Sequence, residues 1–299
     1  MGHGELAALN RPFTVAEAAA HGVSRTMLDS ARYAGVLPGV HVAVGTTVEA
    51  TGLAAAIRGL LRSPVLFDGL TALQLRGLDL GRPLPVRLAV PPARVIRRRG
   101  IVARRVVRLP EADGDVAVVA DAFARVGADH SATDTVIIGD RLLHLGLATP
   151  EELAGVPLVR AGAESPRETL LRLALVLAGL PEPQCNVWIR DGATRVARVD
   201  LYYPRWRVAI EYEGDHHRTE RRQWNRDIER YAELGRLGVH TVRVTASHLS
   251  RANNVAVDVY RAIAERGYDG PPPLLGDAWA ATFARPSGAA LSEVPVTEL

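Results

Sequence analysis

The sequence predicts an α/β protein with a helix-turn-helix-like start, an α+β middle and a C-terminal region where short strands are framed by helices. Three observations predict it. Two capped helical segments flank Gly22; helical and strand-like stretches alternate over residues 48–156; and three strand candidates, a polar helix and a further strand fill residues 186–244. A length of 299 residues leaves room for about two or three domains. The expected divisions are 1–47, 48–160 and 161–267, followed by a Pro-rich tail, 268–299, read as a linker or disordered.

Composition narrows the function classes. At 47% hydrophobic and 23% charged, the chain reads as globular, and no apolar run approaches the roughly 18 residues that span a bilayer, so no membrane role is expected. The first residues show no basic segment leading into an apolar stretch, which gives a cytoplasmic expectation. Cys185 is the one cysteine, so no internal disulfide and no zinc site built on a CxxC pair is expected. All 36 basic side chains are arginine. A GC-rich genome explains that bias, and it leaves nucleic-acid binding open, because a guanidinium forks onto phosphate oxygens.

At the N-terminus, Thr14 and Glu17 form a capping-box pattern for a helix through Ala20. Ser24 caps a second helix expected over 25–34, and two short strands follow around Pro38-Gly39, where a winged helix-turn-helix carries its wing. Laid in a major groove, the second helix would bring Arg25 and Arg32 to phosphates or base edges. A small helical hairpin packed on its neighbour explains the same residues.

The middle region reads as a helix over 51–61, a strand over 65–67, a helix over 71–76, a hairpin of 84–90 with 101–109, and helices over 116–126 and 134–145, with a helix start at Thr149. The hairpin loop holds Arg97, Arg98 and Arg99, and Arg104, Arg105 and Arg108 extend the charge along its second strand. Such a cluster suits a phosphate backbone, with salt-dependent binding; it equally suits a solvated sheet edge.

The C-terminal region carries the chemistry. Ser165, Pro166 and Glu168 define a helix start, for which capping alone accounts for Glu168. Strands are expected over 186–190, 196–203 and 206–213. Period-two alternation puts Glu211 and Glu213 on one face, and folding about Pro204-Arg205 brings Asp200 opposite Ala209 or Glu211. Like charges this close call for a cation, and carboxylates with water are magnesium's preferred ligands. His216 and His217 follow at once as candidate acid or base, and a polar helix over 219–237 carries Asp227 and Arg230 one turn apart, which an ordinary surface ion pair also explains.

These residues resemble a known group. Val199-Asp200-Leu201-Tyr202-Tyr203-Pro204, Val208-Ala209-Ile210-Glu211-Tyr212-Glu213-Gly214, His216-His217, Arg226-Asp227-Ile228-Glu229-Arg230 and 237–244 together resemble the endonuclease-like family of unknown function related to very-short-patch-repair endonucleases, in the PD-(D/E)XK superfamily. The resemblance covers about 164–249 and implies a restriction-endonuclease-like mixed sheet flanked by helices, with Glu168, Asp200 and Glu211 as acids for magnesium or manganese. It also implies that Glu213 is the second acid of the motif, that Asp227 and Arg230 are supporting residues, and that Gln184 is a further one. The usual lysine two residues after the motif acid is absent, since Glu213 stands there. His216 or His217 would take its part, and an inactive core is the alternative. The related repair enzymes' zinc site has no counterpart among the cysteines. Residues 11–20 with the second helix resemble the winged-helix domain of AbiEi-type antitoxins, and the middle region resembles the antitoxin body. The expected function is therefore metal-dependent DNA cleavage; the alternative is a DNA-binding regulator with an inactive nuclease fold. DNA is the expected partner, with a homodimer left open.

Overall fold

A computed structural model describes residues 10–61, 64–81, 83–213, 221–245, 248 and 252–283. They form a mixed α/β chain of two compact units that divide between His130 and Ser131.

The first unit begins with β1 (Phe13–Thr14), α1 (Val15–Ala20), α2 (Arg25–Leu28), β2 (Tyr33–Leu37) and β3 (Val40–Ala43). Glu17 and Thr14 form the expected capping box: the Thr14 hydroxyl accepts from the Glu17 amide at 3.1 Å, and the Thr14 amide donates to Glu17 at 2.8 Å. The strands make an antiparallel sheet in the order β1-β3-β2. The expectation of a second helix over 25–34 is corrected. That helix stops at Leu28, where the Ser30 hydroxyl donates to the Met27 carbonyl at 2.7 Å, and by Tyr33 the chain is already paired with Ala43. The Tyr33 ring packs edge-on against Phe13, 5.8 Å between centroids, which pulls this stretch into the sheet.

The rest of the unit contains α3 (Ala50–Leu61), β4 (Leu66–Phe67), α4 (Gly69–Leu75), β5 (Val86–Val90), β6 (Ile101–Arg105), β7 (Ala112–Asp113), β8 (Val116–Ala117) and α5 (Val119–Asp129). Its sheet runs β6-β5-β4-β8-β7. Here the expected hairpin is overturned: β5 and β6 lie parallel, from Val86↔Ile101 to Val90↔Arg105. Residues 91–94 form a tight turn, with the Arg94 amide donating to the Pro91 carbonyl at 3.0 Å, but the ten-residue connection 91–100 then carries the chain back to the start of β5 rather than straight into an antiparallel partner. Residues 116–117, expected to be helical, pair as β8 with β4 and β7 before α5 begins.

The second unit contains α6 (Ala132–His144), α7 (Pro166–Val176), β9 (Gln184–Asp191), β10 (Thr194–Tyr203), β11 (Val208–Glu213), α8 (Arg221–Arg236), β12 (His240–Thr245), α9 (Ala252–Ala264) and α10 (Asp277–Phe283). Its sheet is mixed, in the order β12-β11-β10-β9, with β11 and β12 parallel and the other pairs antiparallel. Val208 and Ile210 pack with Leu171 and Leu175 of α7 and Val259 and Ile263 of α9, while Ala209, between them, packs with Leu234 of α8. Helices thus cover both faces of β11. At Thr149 the capping bonds to Glu152 form, but only turns follow them.

Two placements differ from expectation. Helix α6, assigned from sequence to the middle region, belongs with the second unit, where its Asp140 meets the fully buried Arg172 of α7 at 3.0 Å. The stretch after residue 268 is not wholly a loose tail: the Leu274 amide donates to the Ala178 carbonyl at 2.8 Å, and Trp279 of α10 is 8% exposed, its indole donating to the Ala174 carbonyl at 3.1 Å. Two aromatics, Trp279 and Phe283, supply the apolar surface that the proline-rich composition concealed.

Candidate active site

The site grows from the end of the β10–β11 ladder. That ladder runs from Tyr203↔Val208 to Leu201↔Ile210, placing Asp200 and Glu211 next in line on adjacent strands. Beyond it the Tyr212 amide donates to the Asp200 carboxylate at 2.7 Å, so Asp200 is held by backbone. Glu211 is only 6% exposed. The Tyr231 hydroxyl of α8 reaches both Glu211, at 3.1 Å, and Glu213, at 3.2 Å, as expected for two acids sharing a strand face. Arg230 pairs with Glu211 and Arg243 of β12 with Glu213. Both guanidiniums also lie over the Tyr231 ring, 5.2 and 4.9 Å from its centre.

Burial dominates the electrostatics. Desolvation pushes Glu211 up to about 7, against the charge of Arg230 and helped by Asp200. Asp200 rises to about 6, again through burial first, with the Tyr212 amide opposing and the charge of Glu168 adding. Glu213 behaves differently: burial works against its ionisation, but the hydrogen bond and charge of Arg243 outweigh it and hold the carboxyl below the usual range.

Glu168 does not join the others as a ligand group. Its carboxylate accepts from the Glu164 amide at 2.8 Å, the Ser165 hydroxyl at 2.8 Å and the Asn186 side chain at 2.6 Å, so it serves the start of α7. Among the described residues, no group of three or more His, Cys, Asp or Glu side chains could hold a metal ion. The expected three-acid convergence is therefore corrected to an adjacent pair, Asp200 and Glu211, with Glu168 close enough to raise Asp200. The pair itself suits a hard divalent cation. Glu211 Oε1 is buried with no hydrogen-bond partner among the described residues, and two desolvated carboxylates side by side gain most from a shared positive charge.

His216, His217 and the side chain of Asp227 lie outside the described residues. Gln184 is exposed at the start of β9, where it pairs with Tyr202. Tyr231, Arg243 and Asn186 were not singled out from sequence as site residues. A tyrosine beside Arg230, on a helix expected to cover the sheet, was the one available signal.

Of the arginines expected at DNA, Arg25, Arg32, Arg97, Arg99 and Arg105 are exposed. Arg98 donates to the Pro38 carbonyl at 2.7 Å, and Arg104 is committed to Asp68 at 2.6 Å.

No family model matches the chain, and no solved structure matches it. Two uncharacterized Mycobacterium tuberculosis proteins, from strains CDC 1551 / Oshkosh and ATCC 25618 / H37Rv, are each 31% identical to it over 106 residues, which is 36% of this chain and 38% of theirs. The chain thus spans well under half the length of the curated relatives it matches. Among the described residues no helix is long and apolar enough to cross a membrane.

Proposed function

We propose that the chain is a metal-dependent DNA endonuclease: the second unit is a nuclease core of the restriction-endonuclease-like kind, and the N-terminal segment acts as a winged helix-turn-helix that holds DNA. The observation that carries this reading is the pair of carboxylates, half-buried Asp200 and buried Glu211, side by side at the end of a strand ladder with one oxygen of Glu211 unpartnered. A magnesium or manganese ion bound there would supply a water of lowered pKa and positive charge for the scissile phosphate. The remaining work belongs to the side chains. The Tyr212 amide fixes Asp200, and the Tyr231 hydroxyl holds Glu211 and Glu213 in register. Arg230 and Arg243, forked donors beside the acids, are placed to offset phosphate charge. Glu213, kept ionised by Arg243, is a weak base, and His216 or His217 is the candidate for the proton-transfer step.

Asp200→Asn and Glu211→Gln are expected to lower magnesium-dependent nicking of plasmid DNA by at least about a hundredfold while leaving the circular dichroism spectrum unchanged. Equal cutting by wild type and both variants would assign the activity to something other than this site.

A second reading has its own support. Arg230 already provides an internal cation to Glu211, as Arg243 does to Glu213, which is how an inactive nuclease fold kept for DNA binding would neutralise its acids. Under that reading the chain is an antitoxin-like regulator, which binds duplex DNA equally well in chelator and never cleaves it.

A further inference from the structure

We propose that an open cleft in the first unit, between the segment after β6 and the exposed side of α5, is a binding site for a phosphate group, carried either by a nucleic-acid backbone or by a free nucleotide. The cleft has a volume of about 780 Å³, within the range of small-molecule sites. Arg104 and Arg108 line one wall and Arg125 the other, and Ala124 and Ala128 keep the helical side shallow.

Two of these arginines are held in place from behind. Asp68, 2% exposed, accepts from Arg104 at 2.6 Å, and Asp129 accepts from Arg125 at 2.9 Å. Asp129 also accepts from Arg87 at 2.9 Å, so two carboxylates anchor three guanidiniums. The imbalance is felt at Arg125, whose pKa is lowered by burial and then by the charges of Arg104 and Arg87, against the pull of Asp68. Arg108 adds a further positive charge that is exposed and engaged by no other side chain in the described structure. Arg104 and Arg125 turn Nε and Nη2 to their aspartates and keep Nη1 for a phosphate oxygen, without having to be ordered on binding. Across the cleft, Asp121 accepts from the Glu111 amide at 2.6 Å, and these two acids make the site polarised rather than uniformly basic. A ligand with phosphate at one end and hydroxyl or amino donors at the other fits that polarity.

Structural ion pairing accounts for Arg104 and Arg125 but gives Arg108 no task, and this separates the explanations. The proposal is independent of the acid pair in the second unit. Isothermal titration of the full-length chain at low salt, without divalent cation, would use three probes: pyrophosphate, a nucleoside triphosphate and a mixed-sequence DNA duplex. Arg108→Ala and Arg125→Gln are expected to weaken binding of at least one probe by about tenfold each, with the unfolding midpoint of Arg108→Ala unchanged. Loss confined to the duplex identifies a backbone site, and loss extending to pyrophosphate and the triphosphate identifies a nucleotide site. Failure of all three probes to bind wild type, or binding by Arg108→Ala equal to wild type for every probe, overturns the proposal. Because the titrations contain no divalent cation and the cleft lies within the first unit, failure here and failure of the nuclease reading remain distinct.

Discussion

Glu211 lies beneath Arg230 and Tyr231, and its burial sets its chemistry more than its arginine partner does. A carboxyl held near 7 in the folded chain keeps a proton that the unfolded chain releases above about 4.5, so each rise in pH through that interval favours unfolding. Asp200, at about 6, acts in the same direction. Without divalent cation, wild type should therefore lose stability relative to Glu211→Gln between about pH 4.5 and 7, as read from thermal midpoints across that range. A difference that stays flat, or that grows in favour of wild type, would show that Glu211 is ordinarily ionised. This pair was legible in the sequence, because period-two alternation and the turn at Pro204-Arg205 are local rules that fix which residues become neighbours. Glu168 was legible only as a cap. Its long-range placement depends on Asn186, which lies 18 residues away and donates to it. Tyr231 escaped for a similar reason: nothing in its own helix indicates that it bridges two acids on a strand.

Elements were readable where one local signal dominated and misread where tertiary pairing overrode it. The capping residues Thr14, Ser24 and Ser165 all start helices as their sequence context indicates. The pairing of β5 with β6 is parallel rather than antiparallel, since alternation reports a strand but not its direction. α10 was hidden by the prolines before it. If its packing stabilises the second unit, Trp279→Ala should cost about 3–5 kcal/mol in urea unfolding, the usual loss for a large buried aromatic. A cost below about 1 kcal/mol would mean that the segment adds nothing to the core.

At the scale of the whole chain, the division at His130 and Ser131 puts all of the expected DNA-contacting arginines in the first unit and the acid pair in the second. No sequence signal marked it, because α6 is tied to the second unit through Asp140 and Arg172, residues 32 positions apart. The net charge of +3 is modest, so under the proposed function the arginine clusters would have to supply the attraction to DNA. Replacing Arg97, Arg98 and Arg99 with alanine should reduce the slope of log affinity against log salt by about 0.9 for each phosphate that is no longer neutralised. An unchanged slope would leave the 91–100 connection without a role in DNA binding. Cleavage by the intact variant would still depend on the second unit.

The most direct test is a manganese titration of the full-length chain with DNA present, followed by electron paramagnetic resonance. Wild type should take up about one ion per chain, and Asp200→Asn and Glu211→Gln should each lose that uptake. No uptake by wild type, or equal uptake by all three proteins, would contradict a cation site between these two carboxylates.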